Sequence, residues 1–246
     1  MGIVGIVGIA GCIPSAPTGN WTLFGGGQAS NTSGANPPVL VVGDSLVFWS
    51  GPNNASGVQA YADNIRLYTG RSATVGAAAA ASYTHFTHSA LLAGTPVSTI
   101  QDYVSFLSPR LTVLALGTND ARLLAGDTTN AFGYTQSDFQ ASANTAISSA
   151  LTKSFCVVAV NVTTRSQTGA PFIAQAAGVN NYLAQTAGSS GGRVRLADWN
   201  SYSASHPEWF DTGDAAGYHQ SDSSGKAAYR QFIIDQINAA FATGHC

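Results

Sequence analysis

Three runs of the chain are apolar almost throughout instead of alternating: Pro38-Val-Leu-Val-Val42, Leu111-Thr-Val-Leu-Ala-Leu116 and Phe155-Cys-Val-Val-Ala-Val160. A strand with one wet face alternates polar and apolar residues, whereas a strand covered on both faces does not. A shorter run, Arg193-Val-Arg-Leu-Ala197, and a weaker one, Ser72–Ala78, complete a set of five. Stripes at helical spacing lie between and after them. They are Val58/Tyr61/Ala62/Ile65/Tyr68, Val97/Ile100/Val104/Leu107, Phe139/Ala143/Ala146/Ile147/Ala150, Phe172/Ala176/Val179/Leu183 and Tyr229/Phe232/Ile233/Ile237/Ala240. The second is expected to start at Thr95 as cap with Pro96 in first position, and the fourth follows Pro171. Strand and helix in alternation predict an α/β domain: an open, parallel, five-stranded sheet with helices on both faces.

The 246 residues suffice for one well-buried domain. It is expected over 37–246, after a Gly/Ser/Asn-rich extension over 1–36 that lacks a core of its own. Only 9% of residues are charged, and the net charge is −2 with no basic run. Binding of nucleic acid through its phosphates needs clustered Lys and Arg, so that class is set aside. No apolar stretch reaches the roughly 20 residues that span a bilayer. The low-charge composition favours a secreted or virion-associated protein over a cytoplasmic one. Ile9-Ala10-Gly11-Cys12 looks like a lipoprotein cleavage box, but no basic region precedes it and the apolar run is short. An ordered Gly/Ile segment, packed on this protein or a neighbour, is the favoured reading, and 1–36 is a candidate segment for homo-oligomer or larger assembly. Of three cysteines, Cys156 reads as a buried free thiol in a strand, with a Cys12–Cys246 bridge left open.

Ligand sites of open parallel sheets form at the carboxyl ends of strands. Gly43-Asp44-Ser45 follows the first strand and Gly117-Thr118-Asn119-Asp120 the third, while Asp211 through His219 precedes the last helix. A serine hydroxyl needs a base in hydrogen-bond reach to act as nucleophile, and a histidine base needs a carboxylate to fix its tautomer. The oxyanion that develops needs preorganised donors. The competing readings are structural: Ser45 as a helix cap, Asn119 as a turn residue, Asp44 and Asp120 as braces. His85 and His88, three apart, have no acidic or thiol partner nearby and read as pocket-edge residues. Trp199 and Trp209 read as packing before they read as a sugar platform.

Gly43-Asp44-Ser45-Leu46 resembles the first block of the GDSL/SGNH hydrolases, and Gly117-Thr118-Asn119-Asp120 their third. The tail from Asp198-Trp199 through His206-Pro207-Glu208-Trp209-Phe210 to His219 and Gly225 is similar to the last block of bacterial members. The resemblance runs from Pro38 to the C-terminus. It implies a flavodoxin-like three-layer α/β/α fold and serine-dependent hydrolysis of acyl or O-acetyl esters, on a small-molecule or polysaccharide substrate, with no metal or other cofactor. By position it makes Ser45 the nucleophile, His219 the base, and Ser45 and Asn119 oxyanion donors. His206 is a competitor for the base. The family's Asp-x-x-His is broken, because position 216 is Ala. Asp214 is the expected orienting acid, with Asp211 as rival. The second-block glycine donor is assigned to Gly76, with the loop near Ala80–Ser82 as the other source. The broken spacing and the Gly/Ile-rich start motivate an alternative, a structural or receptor-binding component of a virus or phage particle or other assembly with a reduced or idle site.

Overall fold

The computed structural model describes residues 19–22, 28–31, 36–51, 58–88, 91–92, 95–96, 98–126, 133–165, 169–214, 217–222 and 224–244. The strands are β1 (Gly19–Thr22), β2 (Gln28–Asn31), β3 (Asn36–Gly43), β4 (Arg71–Ala77), β5 (Leu91–Leu92), β6 (Thr95–Pro96), β7 (Leu111–Ala115), β8 (Cys156–Val160) and β9 (Val194–Ala197). The helices are α1 (Ser45–Phe48), α2 (Val58–Thr69), α3 (Tyr83–Thr87), α4 (Ile100–Leu107), α5 (Thr118–Leu124), α6 (Gln136–Leu151), α7 (Ala170–Ser189), α8 (Trp199–Ser203) and α9 (Gly225–Ala242).

β4, β3, β7, β8 and β9 lie side by side in that order, all parallel. Counted along the chain these five have the order 2-1-3-4-5, the doubly wound flavodoxin pattern, whose switch point falls between β3 and β7. Strand residues alternate between two cores. Leu40, Val42, Leu114, Val157 and Ala159 pack with Tyr83, Tyr103, Phe139 and Leu183, under α3, α4, α6 and α7. Val39, Val41, Val113, Ala115 and Val158 pack with Tyr61, Ile65, Trp199 and Ile233, under α2, α8 and α9. The unbroken apolar runs thus reflect a sheet dry on both faces.

The structure adds to the expected five strands. β1 and β2 form an antiparallel hairpin, and β2 pairs antiparallel with β4. Residues 19–22 and 28–31 therefore extend the sheet at its β4 edge. α4 starts later than expected: Thr99 caps it in a reciprocal pair with Asp102, while Thr95 and Pro96 belong to the small β5–β6 pair. Thr99 wins because the box places Asp102 three residues into the first turn, satisfying two backbone donors at once. Cys156 is fully buried at the start of β8, as expected, but it is disulfide-bonded, which corrects the free-thiol reading. The Cys12–Cys246 bridge left open above lies outside the described residues. The segment from Met1 to Cys12, including Ile9–Cys12, lies outside the described residues. Among the described residues no helix is long and apolar enough to cross a membrane.

Leu40 is 0% exposed and Leu67 is 72% exposed. Leu40→Ala is expected to cost about 2–5 kcal/mol and Leu67→Ala less than about 0.5 kcal/mol, measured by urea unfolding. Equal losses would contradict the layer assignment.

Candidate active site

Three turns at the carboxyl ends of β3, β4 and β7 build one rim. After β3 the chain folds back sharply into α1, and only glycine permits it: a Cβ on Gly43 would sit 2.2 Å from Val47 Cγ2. Asp44 caps α1, its Oδ1 accepting from the Leu46 N–H at 2.9 Å. Ser45 opens the helix, 6% exposed. After β7 the chain turns through Gly117 at φ +117°, where a Cβ would meet Val162 Cγ2 at 2.9 Å, and enters α5 with Asn119. After β4 a turn closes with Ala81 N–H donating to Ala78 O at 3.2 Å, with Ala80 at φ +61°. That is the type II pattern, whose third position ordinarily takes glycine. The turns are stitched together. Asp44 N–H donates to Ala115 O at 3.4 Å, Ala78 N–H to Gly43 O at 3.2 Å, and Asn119 Nδ2 to Ala81 O at 2.9 Å.

His219 approaches this rim from the segment before α9. Its Nε2 lies 3.4 Å from Ser45 Oγ, and its Nδ1 lies 2.9 Å from Asp214 Oδ2. Asp214 Oδ2 also accepts from the His219 backbone N–H at 3.3 Å. A carboxylate only accepts, so the Nδ1–H donates to Asp214 and the neutral ring keeps Nε2 free to accept from Ser45. Trp49 meets the imidazole edge-on at 5.6 Å between ring centres. Tyr218 packs on it at 4.7 Å and is stacked in turn on Phe172 at 5.3 Å. Asp211 is elsewhere. Its N–H donates to His219 O at 3.0 Å, and its Oδ1 accepts from Gly213 N–H at 2.8 Å. It lines a cavity of about 320 Å³ with Thr164, Arg165, Ile173 and Phe210.

Two carboxyls are buried under the rim. Burial pushes Asp44 up to about 7, against the Leu46 N–H and helped by the charge of Asp120. Its Oδ2 has no hydrogen-bond partner. Burial also pushes Asp120 up to about 6, opposed by donors from Tyr134 and Tyr83. Asp120 braces the loops: Tyr134 Oη–H donates to Oδ1 at 2.7 Å and Tyr83 N–H to Oδ2 at 3.1 Å.

Ser45, Asn119, Asp214 and His219 are therefore gathered at one place. Gly76 is not at the rim. It lies inside β4, paired with Val42 on one side and Ala29 on the other, and packs under the Tyr103 ring. The turn around Ala80 occupies the corresponding position at the rim. His206 stacks on Trp209, 3.7 Å between ring centres, and bonds Glu208 at 2.8 Å. Trp209 also stacks with Trp199, which is fully buried, so both tryptophans are packing residues. His85 Nδ1 accepts from Ser82 N–H at 3.1 Å and caps α3. Sequence reasoning passed over Trp49 and Arg122. Arg122 shares a helix face with Asn119, a relation that the i, i+3 spacing carries once α5 is placed.

No protein-family model matches the sequence, and no curated protein sequence matches it significantly. Solved structures do. The C-terminal catalytic domain of the Streptococcus pneumoniae peptidoglycan O-acetyltransferase A (OatA) superposes with a TM-score of 0.54 at 18% identity, covering 84% of this chain and 93% of that one. A catalytic mutant of Axe2, an acetylxylan esterase from Geobacillus stearothermophilus, gives 0.61 at 11% identity, covering 83% and 95%. TesA gives 0.55 at 15% identity, covering 82% and 97%. The chain has the three-layer α/β/α fold of the SGNH hydrolases.

Two predictions follow from the rim. Between about pH 4 and 7 folded Asp44 retains a proton that the unfolded chain releases, so its burial takes away more stability as pH rises through that window. Asp44→Asn keeps the cap without the charge, and its melting temperature relative to wild type should rise from pH 5 to pH 8. A flat difference would remove the buried-charge account. Ala80→Gly should relieve left-handed strain and stabilise by up to about 1 kcal/mol in thermal melts.

Proposed function

We propose that this protein hydrolyses carboxylic esters with Ser45 as nucleophile, His219 as general base and Asp214 as the acid that orients it. The observation that carries this reading is the run of contacts from Ser45 Oγ to His219 Nε2 at 3.4 Å and from His219 Nδ1 to Asp214 Oδ2 at 2.9 Å. In the first half-reaction Ser45 Oγ attacks the acyl carbonyl while His219 Nε2 takes its proton. The tetrahedral intermediate collapses to an acyl-serine, and His219 returns the proton to the departing alcohol. Water then attacks the acyl-serine with His219 again as base, and the acid leaves with Ser45 reprotonated. The oxyanion is held by the Ser45 backbone N–H, the Asn119 carboxamide and a backbone N–H of the Ala80 turn. The left-handed Ala80 supports that last role, since backbone strain collects at functional turns.

O-acetyl groups on polysaccharide are the favoured substrates, by analogy with the peptidoglycan O-acetyltransferase and acetylxylan esterase structures. The first of these also supports a second reading, transfer of the acyl group to a sugar hydroxyl in place of water. The disulfide at Cys156 supports an oxidising, extracellular or envelope location. The longer Asp-to-His spacing, one of the two grounds for an idle particle component, loses its force because Asp214 still reaches Nδ1. Assembly through residues 1–36 remains a proposal, and the pairing of β2 on β4 supports a role for part of that segment in completing the sheet.

Purified protein should hydrolyse 4-nitrophenyl acetate, and a fluorophosphonate probe should label Ser45. Ser45→Ala should lower kcat by about 10⁴-fold or more, and Asp214→Asn by roughly 10²–10⁴-fold. Asp211→Asn should leave kcat near wild type. Full activity in Ser45→Ala refutes the nucleophile, and a larger loss in Asp211→Asn than in Asp214→Asn reassigns the orienting acid.

A further inference from the structure

Asn119 and Arg122 lie three residues apart on α5 and so share a face of that helix. The Asn119 carboxamide has one acceptor oxygen and two N–H donors. Its Oδ1 accepts from Arg122 Nη1 at 3.3 Å, and one Nδ2–H donates to Ala81 O at 2.9 Å. The second N–H has no partner among the described residues. Turned over by 180°, the same amide would set its oxygen against Ala81 O and its NH₂ against the guanidinium. That is one acceptor–acceptor and one donor–donor contact, in a side chain only 6% exposed where neither can be relieved by water. Arg122 thus makes one orientation of the amide favourable and the other costly. Its guanidinium also sits 5.7 Å from the centre of the Tyr218 ring, and Tyr218 packs against His219. One cation spans the donor on α5 and the residue behind the histidine.

We propose that Arg122 is a positioning residue, which locks the Asn119 carboxamide so that its second N–H is kept for the oxyanion. The inference rests on the ester-hydrolase reading of the Ser45 site. Arg122 acts through Asn119, so its removal lowers turnover and leaves ground-state binding of a small ester unchanged. An oxyanion donor is worth about 10²–10³-fold in kcat, and loosening one should cost roughly 10-fold or more.

The test uses the full chain with 4-nitrophenyl acetate: kcat, KM and melting temperature for Arg122→Ala, Arg122→Lys, Arg122→Met, Asn119→Ala and the Arg122→Ala/Asn119→Ala double variant. Arg122→Ala should lower kcat roughly 10-fold with KM within about 2-fold of wild type. Arg122→Lys, which still offers a charged N–H, should recover part of the loss. Arg122→Met keeps the stem against Tyr218 without a donor. It should match the alanine variant in kcat while melting near wild type, which separates positioning from folding. In the double variant, loss of Arg122 should add nothing to the loss of Asn119, because the group it positions is gone. Wild-type kcat in Arg122→Met, or losses that multiply in the double variant, overturns the inference. Ser45→Ala tells the two failures apart: if it is inactive while Arg122→Met is not impaired, the site stands and the role of Arg122 falls.

Discussion

The parallel pairing of β3 between β4 and β7 is the constraint on which the site depends. Val42 is in register with Gly76 on one side and Leu114 on the other, so all three strands end at the same level. The chain must then leave each strand in a tight turn at one rim. Hydrogen bonds carry the ladder past the strand ends, from Asp44 to Ala115 and from Ala78 to Gly43. Ser45, Asn119 and the Ala80 turn are therefore placed by backbone registration, to which the side chains of Asp44, Asn119 and Asp120 add bonds within and between the turns. The two cores that hold this sheet also hold the site. A packing defect at Leu40 or Val41 would reach the rim through no more than two or three residues of strand.

The rim is held at an electrostatic cost. Asp44 and Asp120 are both buried, which makes each harder to ionise, and the charge of Asp120 pushes Asp44 up further. A protein selected only for stability would place neutral groups there. Both carboxyls instead brace the turns that carry Ser45 and Asn119, Asp44 through the Leu46 N–H and Asp120 through Tyr83 and Tyr134. Stability is surrendered there for fixed geometry of the turns.

Much of this was legible in the residues. Three unbroken apolar runs located β3, β7 and β8, a shorter and a weaker run located β9 and β4, and the blocks after β3 and β7 located Ser45 and Asn119. What stayed hidden was set by partners distant in sequence. The β1–β2 hairpin lies in a Gly/Ser/Asn-rich stretch without alternation, and its pairing is decided by the open edge of β4. The Cys156 bond cannot be read from one cysteine in an odd set. Gly76 is the only glycine in Ser72–Ser82, yet it makes room for Tyr103 inside β4, while the turn that follows holds Ala80 in the left-handed conformation. That Asp214 and not Asp211 contacts His219 Nδ1 depends on a loop whose path no periodicity records.

That loop is a closed excursion. Phe210 bridges Gln220, Asp211 N–H bonds His219 O, and Ser221 N–H bonds Trp209 O at 2.8 Å, so its two ends are clamped together. Asp214 and His219 both lie inside the clamp. Their mutual distance is a local property of a small ring of chain, while the serine's position is a property of the whole sheet. Closing a ring two residues longer costs little entropy. Within the clamp the five-residue step from Asp214 to His219 still brings Oδ2 to 2.9 Å from Nδ1. The dyad behaves as a replaceable part mounted on a fixed frame.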